Sequence, residues 1–176
     1  MFEPMNGNVE DARILGRLGS ADGRGVVRVE DRVDADPANL WSALTNPQRL
    51  AQWLGDVTGD LRLNGAFRAR FHASGWEGTG RVEVCEPRSR LRVRTKDDEH
   101  SDGATLEVTL TADGDQTVVV WEERGMPVEL VAAYGAGIQI HVEDLVDHVG
   151  GGQRRDPEPR FDALYPSYQA LAAGLF

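Results

Sequence analysis

A single cysteine, Cys85, stands in this 176-residue chain, so no internal disulfide can brace it, and that usage suits a reducing compartment. No apolar run reaches the roughly 18 residues of a membrane-spanning helix. The opening residues, MFEPMNGNVEDARIL, carry acids and lack the apolar stretch of a signal peptide. Basic residues are in deficit, with 19 Lys and Arg against 29 Asp and Glu and a net charge of −10. Binding to a phosphate backbone needs clustered cations, so no nucleic-acid partner is expected. Also missing are the phosphate-cradling GxxxxGK loop, the dinucleotide GxGxxG, the HExxH metal pair and the GxSxG nucleophile elbow. A cytoplasmic protein with no cofactor is the expectation these absences leave.

What is present is 40% hydrophobic residues, enough for one domain with a full core. Four segments are expected: an N-terminal arm over 1–23, partly mobile; a main domain over 24–150; a linker over 151–160; and a helical tail over 161–176. From Val26 to Val33 the valines 27, 29 and 33 alternate with charged residues, which predicts a half-buried strand with Asp31 on its apolar side. Asp36-Pro37 and Asn46-Pro47 each place a side-chain acceptor before proline, the signature of a helix start, so two short helices follow. From Val57 to Gly125 the period is two, interrupted by turn signals such as Asn64-Gly65 and Asp113-Gly114, which predicts an antiparallel meander. Val84 is expected inward there and Cys85 outward. Residues 117–123 are apolar on both faces, so parity does not place Trp121.

Pro127 to Val149 carries the one long helical pattern, with Val131, Tyr134, Ile138, Val142, Leu145 and Val149 at steps of three and four. Pro127 suits its first position, and Gly150 to Gly152 suit its exit. Gly135 and Gly137 inside it predict the close approach of another backbone or of a bound molecule. The tail repeats helical spacing at Phe161, Leu164, Tyr168, Leu171 and Leu175, with Pro166 expected to restart the helix. Docking on its own body is expected, with docking on a second subunit, as a homodimer, the alternative.

This order, a strand, two short helices, a strand meander and a long helix, is α+β, with a sheet able to curl around the last long helix. The segments VEDRVDADPANLWSALTNPQRLAQWLG, DLRLNGAFRARF, GRVEVCEPRSRLRV and GMPVELVAAYGAGIQIHVEDLVDHV resemble the START-like (SRPBCC) superfamily. Within it they are most similar to the branch named after activators of the heat-shock-protein ATPase, over roughly Val26 to Val149. The tail, too, resembles one found in actinobacterial members. The resemblance implies a helix-grip fold whose cavity holds an apolar or amphipathic molecule, and it implies that Trp121 and Glu123 face inward. Many relatives carry Trp where Ile138 stands and two glycines where Asn64-Gly65 stand, so an altered cavity outline is expected. A heat-shock ATPase is not the expected partner, because single-domain bacterial relatives lack the extra domain of the eukaryotic activators.

The residues expected to bind ligand are Phe67, Phe71, Trp76, Trp121, Tyr134, Ile138 and His141, large groups on the concave strand face or the gripped helix. An alternative enzyme reading, of cyclase or hydrolase type, uses Asp31, Glu123 or His141 as proton acceptors in a dry cavity. His141, Asp144 and His148 share a helix side, but the spacing suits a solvated flank better than a metal site, and no metal is expected. Asp98, His100, Asp102 and Gly103 only faintly echo a calcium loop, since Thr109 stands where its closing Glu belongs. Arg88, Arg90, Arg92, Arg94 and Lys96 are read as an ordinary charged outer face.

Overall fold

Alternation sets the frame: in β2 (Arg24–Val33) the inward Val27, Val29 and Val33 are shut off from solvent while Arg28, Glu30 and Arg32 are exposed. The computed structural model describes residues 13–98 and 103–175. Its eight-stranded antiparallel sheet runs β1-β2-β8-β7-β6-β5-β4-β3. The other strands are β1 (Gly16–Ala21), β3 (Gly55–Gly59), β4 (Ala66–Phe71), β5 (Glu77–Glu86), β6 (Arg90–Asp97), β7 (Gly103–Asp113) and β8 (Gln116–Pro127). Helices α1 (Pro37–Thr45) and α2 (Pro47–Trp53) carry the chain from β2 to the far edge at β3. Both start as the sequence predicts: Asp36 Oδ1 accepts from the Asn39 N–H at 2.7 Å, and Asn46 Oδ1 from that of Gln48 at 2.9 Å. The sheet's inner face, led by Val27, Val29, Val82, Val108 and Trp121, packs with Leu40, Leu50 and Trp53 of the short helices and with Ile138, Val142 and Leu145 of α3 (Val131–Val149).

Several local expectations change. The segment read as an arm supplies edge strand β1 from Gly16 onward, while residues 1–12 lie outside the described residues. A register shift between Val82 and Val84 pairs Cys85 with Leu91 and turns it, not Val84, toward the core. One extra residue in a strand reverses the parity of everything after it. Pro127 ends β8 rather than starting α3, which begins after a short 3-10 turn at Val128–Leu130. The helix exit is set by Gly151, whose φ of 84° is the left-handed one, while Gly150 has φ −82°.

The tail helix α4 (Pro157–Ala173) starts within the expected linker, because Asp156 accepts from the Glu158 N–H at 3.0 Å. It runs through Pro166 without restarting. Leu164 and Tyr168 are buried against Ala132, Ala136 and Ile140 of α3, so the helix is held by its docked face and Pro166 sits on the exposed one. Gly135 is what admits it: a Cβ there would lie 2.5 Å from the Tyr168 ring. The Tyr168 hydroxyl donates to Gln139 Oε1 at 2.5 Å, and Gln139 Nε2 donates to the Arg13 carbonyl at 2.7 Å. Arg160 closes the seam by pairing with the buried Asp144 at 2.8 Å.

Candidate functional site

Beyond the packed middle of the sheet, the last residues of β8 and the first half of α3 border a cavity of about 570 Å³. Phe71 on β4, Trp76 before β5, Leu106 on β7, Glu123 and Met126 on β8, and Tyr134, Gly137, Ile138 and His141 on α3 form its walls. A Cβ on Gly137 would meet nothing within 4 Å, so this glycine adds room rather than admitting a neighbour. A second, apolar space of about 70 Å³ abuts it and shares Phe71, Trp76, Thr95 and Leu106, with Phe67 and Trp121 among its own walls. The expected ligand residues therefore divide: Phe71, Trp76, Tyr134, Ile138 and His141 line the larger space, and Phe67 and Trp121 only the smaller. A wider depression beside α1 and Arg88, which includes Trp41, holds none of them.

The aromatic groups are interlocked. Phe71 meets Trp76 at 4.9 Å between ring centres and the His141 ring edge-on at 5.2 Å, while Trp121 stacks on His141 at 6.1 Å and meets Trp53 edge-on at 6.4 Å. Two ionisable groups face this apolar surround. Register opposite Val27 turns Glu123 inward, where burial lifts its carboxyl to about 7 and one hydrogen bond from Trp121 Nε1, at 3.2 Å, partly offsets that. Burial, helped by the Arg160 charge, holds the His141 imidazole down at about 4, so it is neutral at physiological pH. His141 is 5% exposed, and its Nδ1 has no hydrogen-bond partner. Burial raises the Tyr134 hydroxyl, and the negative charges of Glu123 and Asp97 add to the effect.

Asp31 does not join them. It pairs with Val119, four residues along the sheet from the Val27–Glu123 pair, a separation of about 13 Å at strand rise. Its Oδ1 accepts from the Arg32 N–H at 2.8 Å, and Arg13 lies 4.0 Å away. Asp31 therefore does not line the cavity with Glu123. The helix-side trio separates as well: Asp144 binds Arg160, His148 Nε2 accepts from Arg49 Nε at 3.1 Å, and His141 faces the cavity. Among the described residues no group of three or more His, Cys, Asp and Glu is placed to hold a metal ion. Two residues of the faint calcium-loop pattern, His100 and Asp102, lie outside the described residues. In the outer basic stripe, Arg90 and Arg92 pair with Glu107.

Sequence reading missed Met126 and Leu106 as wall residues. Met126 lies beyond Gly125, where the period-two run was expected to end; the register shift opposite Gly25 and Val26, at Gly125 with its φ of 107°, changes the parity set by Trp121 and Glu123 and turns Met126 inward.

A family model described as activator of Hsp90 ATPase homolog 1-like protein matches residues 34–150. Among solved structures, CalU16 from Micromonospora echinospora is similar at 22% identity, with 90% of this chain and 97% of that one covered and a TM-score of 0.74. DynU16, a protein of the dynemicin biosynthetic locus, is 28% identical over 74% of this chain and 50% of its own, with a TM-score of 0.68. CV1439 from Chromobacterium violaceum is 22% identical, covering 70% of this chain and 96% of that one, with a TM-score of 0.62. These neighbours share the helix-grip fold. No curated protein matches the chain. Among the described residues no helix is long and apolar enough to cross a membrane.

Proposed function

The chain belongs to the activator of Hsp90 ATPase homolog 1-like family, and from that premise we propose that it binds a small apolar or amphipathic molecule between the sheet and α3. The observation that carries this reading is the cavity of about 570 Å³, in which Phe71, Trp76, Leu106, Met126, Tyr134 and Ile138 supply apolar wall beside several charged and polar side chains. Protein interiors pack to near-crystalline density, so a void of this size is not ordinary slack. The adjoining 70 Å³ space supplies a dry end for a hydrocarbon tail, and the polar groups of Glu123, Tyr134 and His141 supply a head end. Ile138 is central, because its side chain projects from α3 into the larger space in a position that a bulkier group would fill.

Native mass spectrometry of freshly purified protein tests this directly. A co-purified mass of a few hundred daltons, lost in an Ile138→Trp variant that keeps the wild-type melting temperature, is the expected outcome. Equal retention in both proteins would contradict binding at this place.

A further inference from the structure

The larger cavity has an uneven charge inventory. Glu77, Asp97, Asp98 and Glu123 contribute carboxylates to its wall, and Arg24 contributes the one guanidinium there. At the rim, Glu77 is paired with Arg70 at 3.3 Å and Asp98 with Arg68. Glu123 lies deeper, and its hydrogen bond comes from the neutral indole of Trp121. Facing the same space is His141, 5% exposed and with Nδ1 unpartnered, a neutral ring that does not repel a cation. Phe71 and Trp76, 4.9 Å apart, and Tyr134 complete an aromatic surround.

Each kind of ligand head meets this wall differently. A carboxylate or phosphate would be brought against the Glu123 carboxyl, whose hydrogen bond comes from a neutral indole and not from a cation. Above about pH 7, where Glu123 is ionised, an uncharged hydroxyl would leave it without a counter-charge in an apolar setting, which is costly. An alkylammonium provides a positive charge and several N–H donors for Glu123, and aromatic faces attract it through their quadrupoles. Resting on the ligand-binding reading above, we propose that this cavity selects an apolar molecule bearing a protonated amine, its ammonium held by Glu123 among Phe71, Trp76 and Tyr134.

Three probes of one chain length separate this proposal from the reading it rests on: decylamine, decanol and decanoate, each kept below its micellar concentration. Titration at about pH 8 and about 0.15 M salt, followed by tryptophan fluorescence, screens the chain's overall negative charge. The wild-type protein is expected to bind decylamine about tenfold or more tighter than decanol, and decanoate most weakly. Glu123→Gln, which keeps the side-chain shape, is expected to erase the amine advantage by weakening decylamine and strengthening decanol, which no longer strands a charged carboxylate. Decylamine no tighter than decanol, or an advantage that survives Glu123→Gln, would overturn ammonium selection and leave cavity binding standing. Binding of none of the three would overturn both. The wild-type ranking decides the matter by itself should the variant fail to fold.

Discussion

The two faces of α3 solve opposite problems with the same residue types. On the face toward α4 and β1, Gly135 lets the Tyr168 ring approach, Gln139 is hydrogen-bonded on both ends, and Asp144 has its Arg160. On the face toward the sheet, Gly137 looks into open space, His141 Nδ1 is unpartnered, and Glu123 sits in apolar surroundings with an indole N–H alone. The first face is closed by packed side chains, even though Glu143 Oε2 and Arg160 Nε lie buried there without a hydrogen-bond partner, whereas the second borders open space. A helix interior glycine costs about 1 kcal/mol, and only the surroundings tell which purpose it serves.

The contrast can be broken hardest on the closed face. Tyr168→Ala should destabilise the protein by about 3–5 kcal/mol in urea melts, because it empties a fully buried aromatic site and removes one of the two hydrogen bonds to Gln139 Oε1. Tyr134→Ala on the open face should lose about 1 kcal/mol or less, since its ring already borders a void. Equal losses at the two positions would end the distinction.

Titration sharpens it next. The folded Glu123 carboxyl, lifted to about 7 from 4.5, loses its proton less readily than in the unfolded chain, so ionisation favours unfolding. Glu123→Gln should therefore stabilise the protein by up to about 3 kcal/mol above pH 7, with the gain shrinking as pH falls and gone below about 4.5. His141 has the opposite sign: held at about 4 against 6.5, it favours folding while neutral, and that stability drains away as pH falls from 6.5 through 4. His141→Gln should flatten the acid limb of a melting-temperature profile, and an unchanged limb would show that the ring is solvated. Among smaller effects, Gly135→Ala should lose about 1–3 kcal/mol, because its methyl would press on Tyr168. Gly137→Ala should be neutral or stabilising by up to about 1 kcal/mol.

How much of this could be read in the chain depends on range. The helix starts at Asp36 and Asn46 were legible because each cap is complete within three residues. The alternation of β2, β6 and β7 was legible because period two is local. The reversal at Cys85 was not, since a bulge is chosen by the partner strand. Gly135 and Gly137 look alike in sequence, and only the fold brings Tyr168, 33 residues on, to one of them and nothing to the other. The site followed the same rule: Glu123 and His141 were candidates by residue type and by family resemblance, whereas the exclusion of Asp31 needed the register of β2 on β8.

The central claim, that the space under Ile138 and beside Phe71, Trp76 and Tyr134 receives a guest, is tested most directly by crystals soaked with 10-bromodecanol and measured at the bromine absorption edge. The account predicts an anomalous peak inside the cavity bounded by those four residues, absent from Ile138→Trp crystals. A peak confined to the depression beside Trp41, or none at saturating probe, would contradict it.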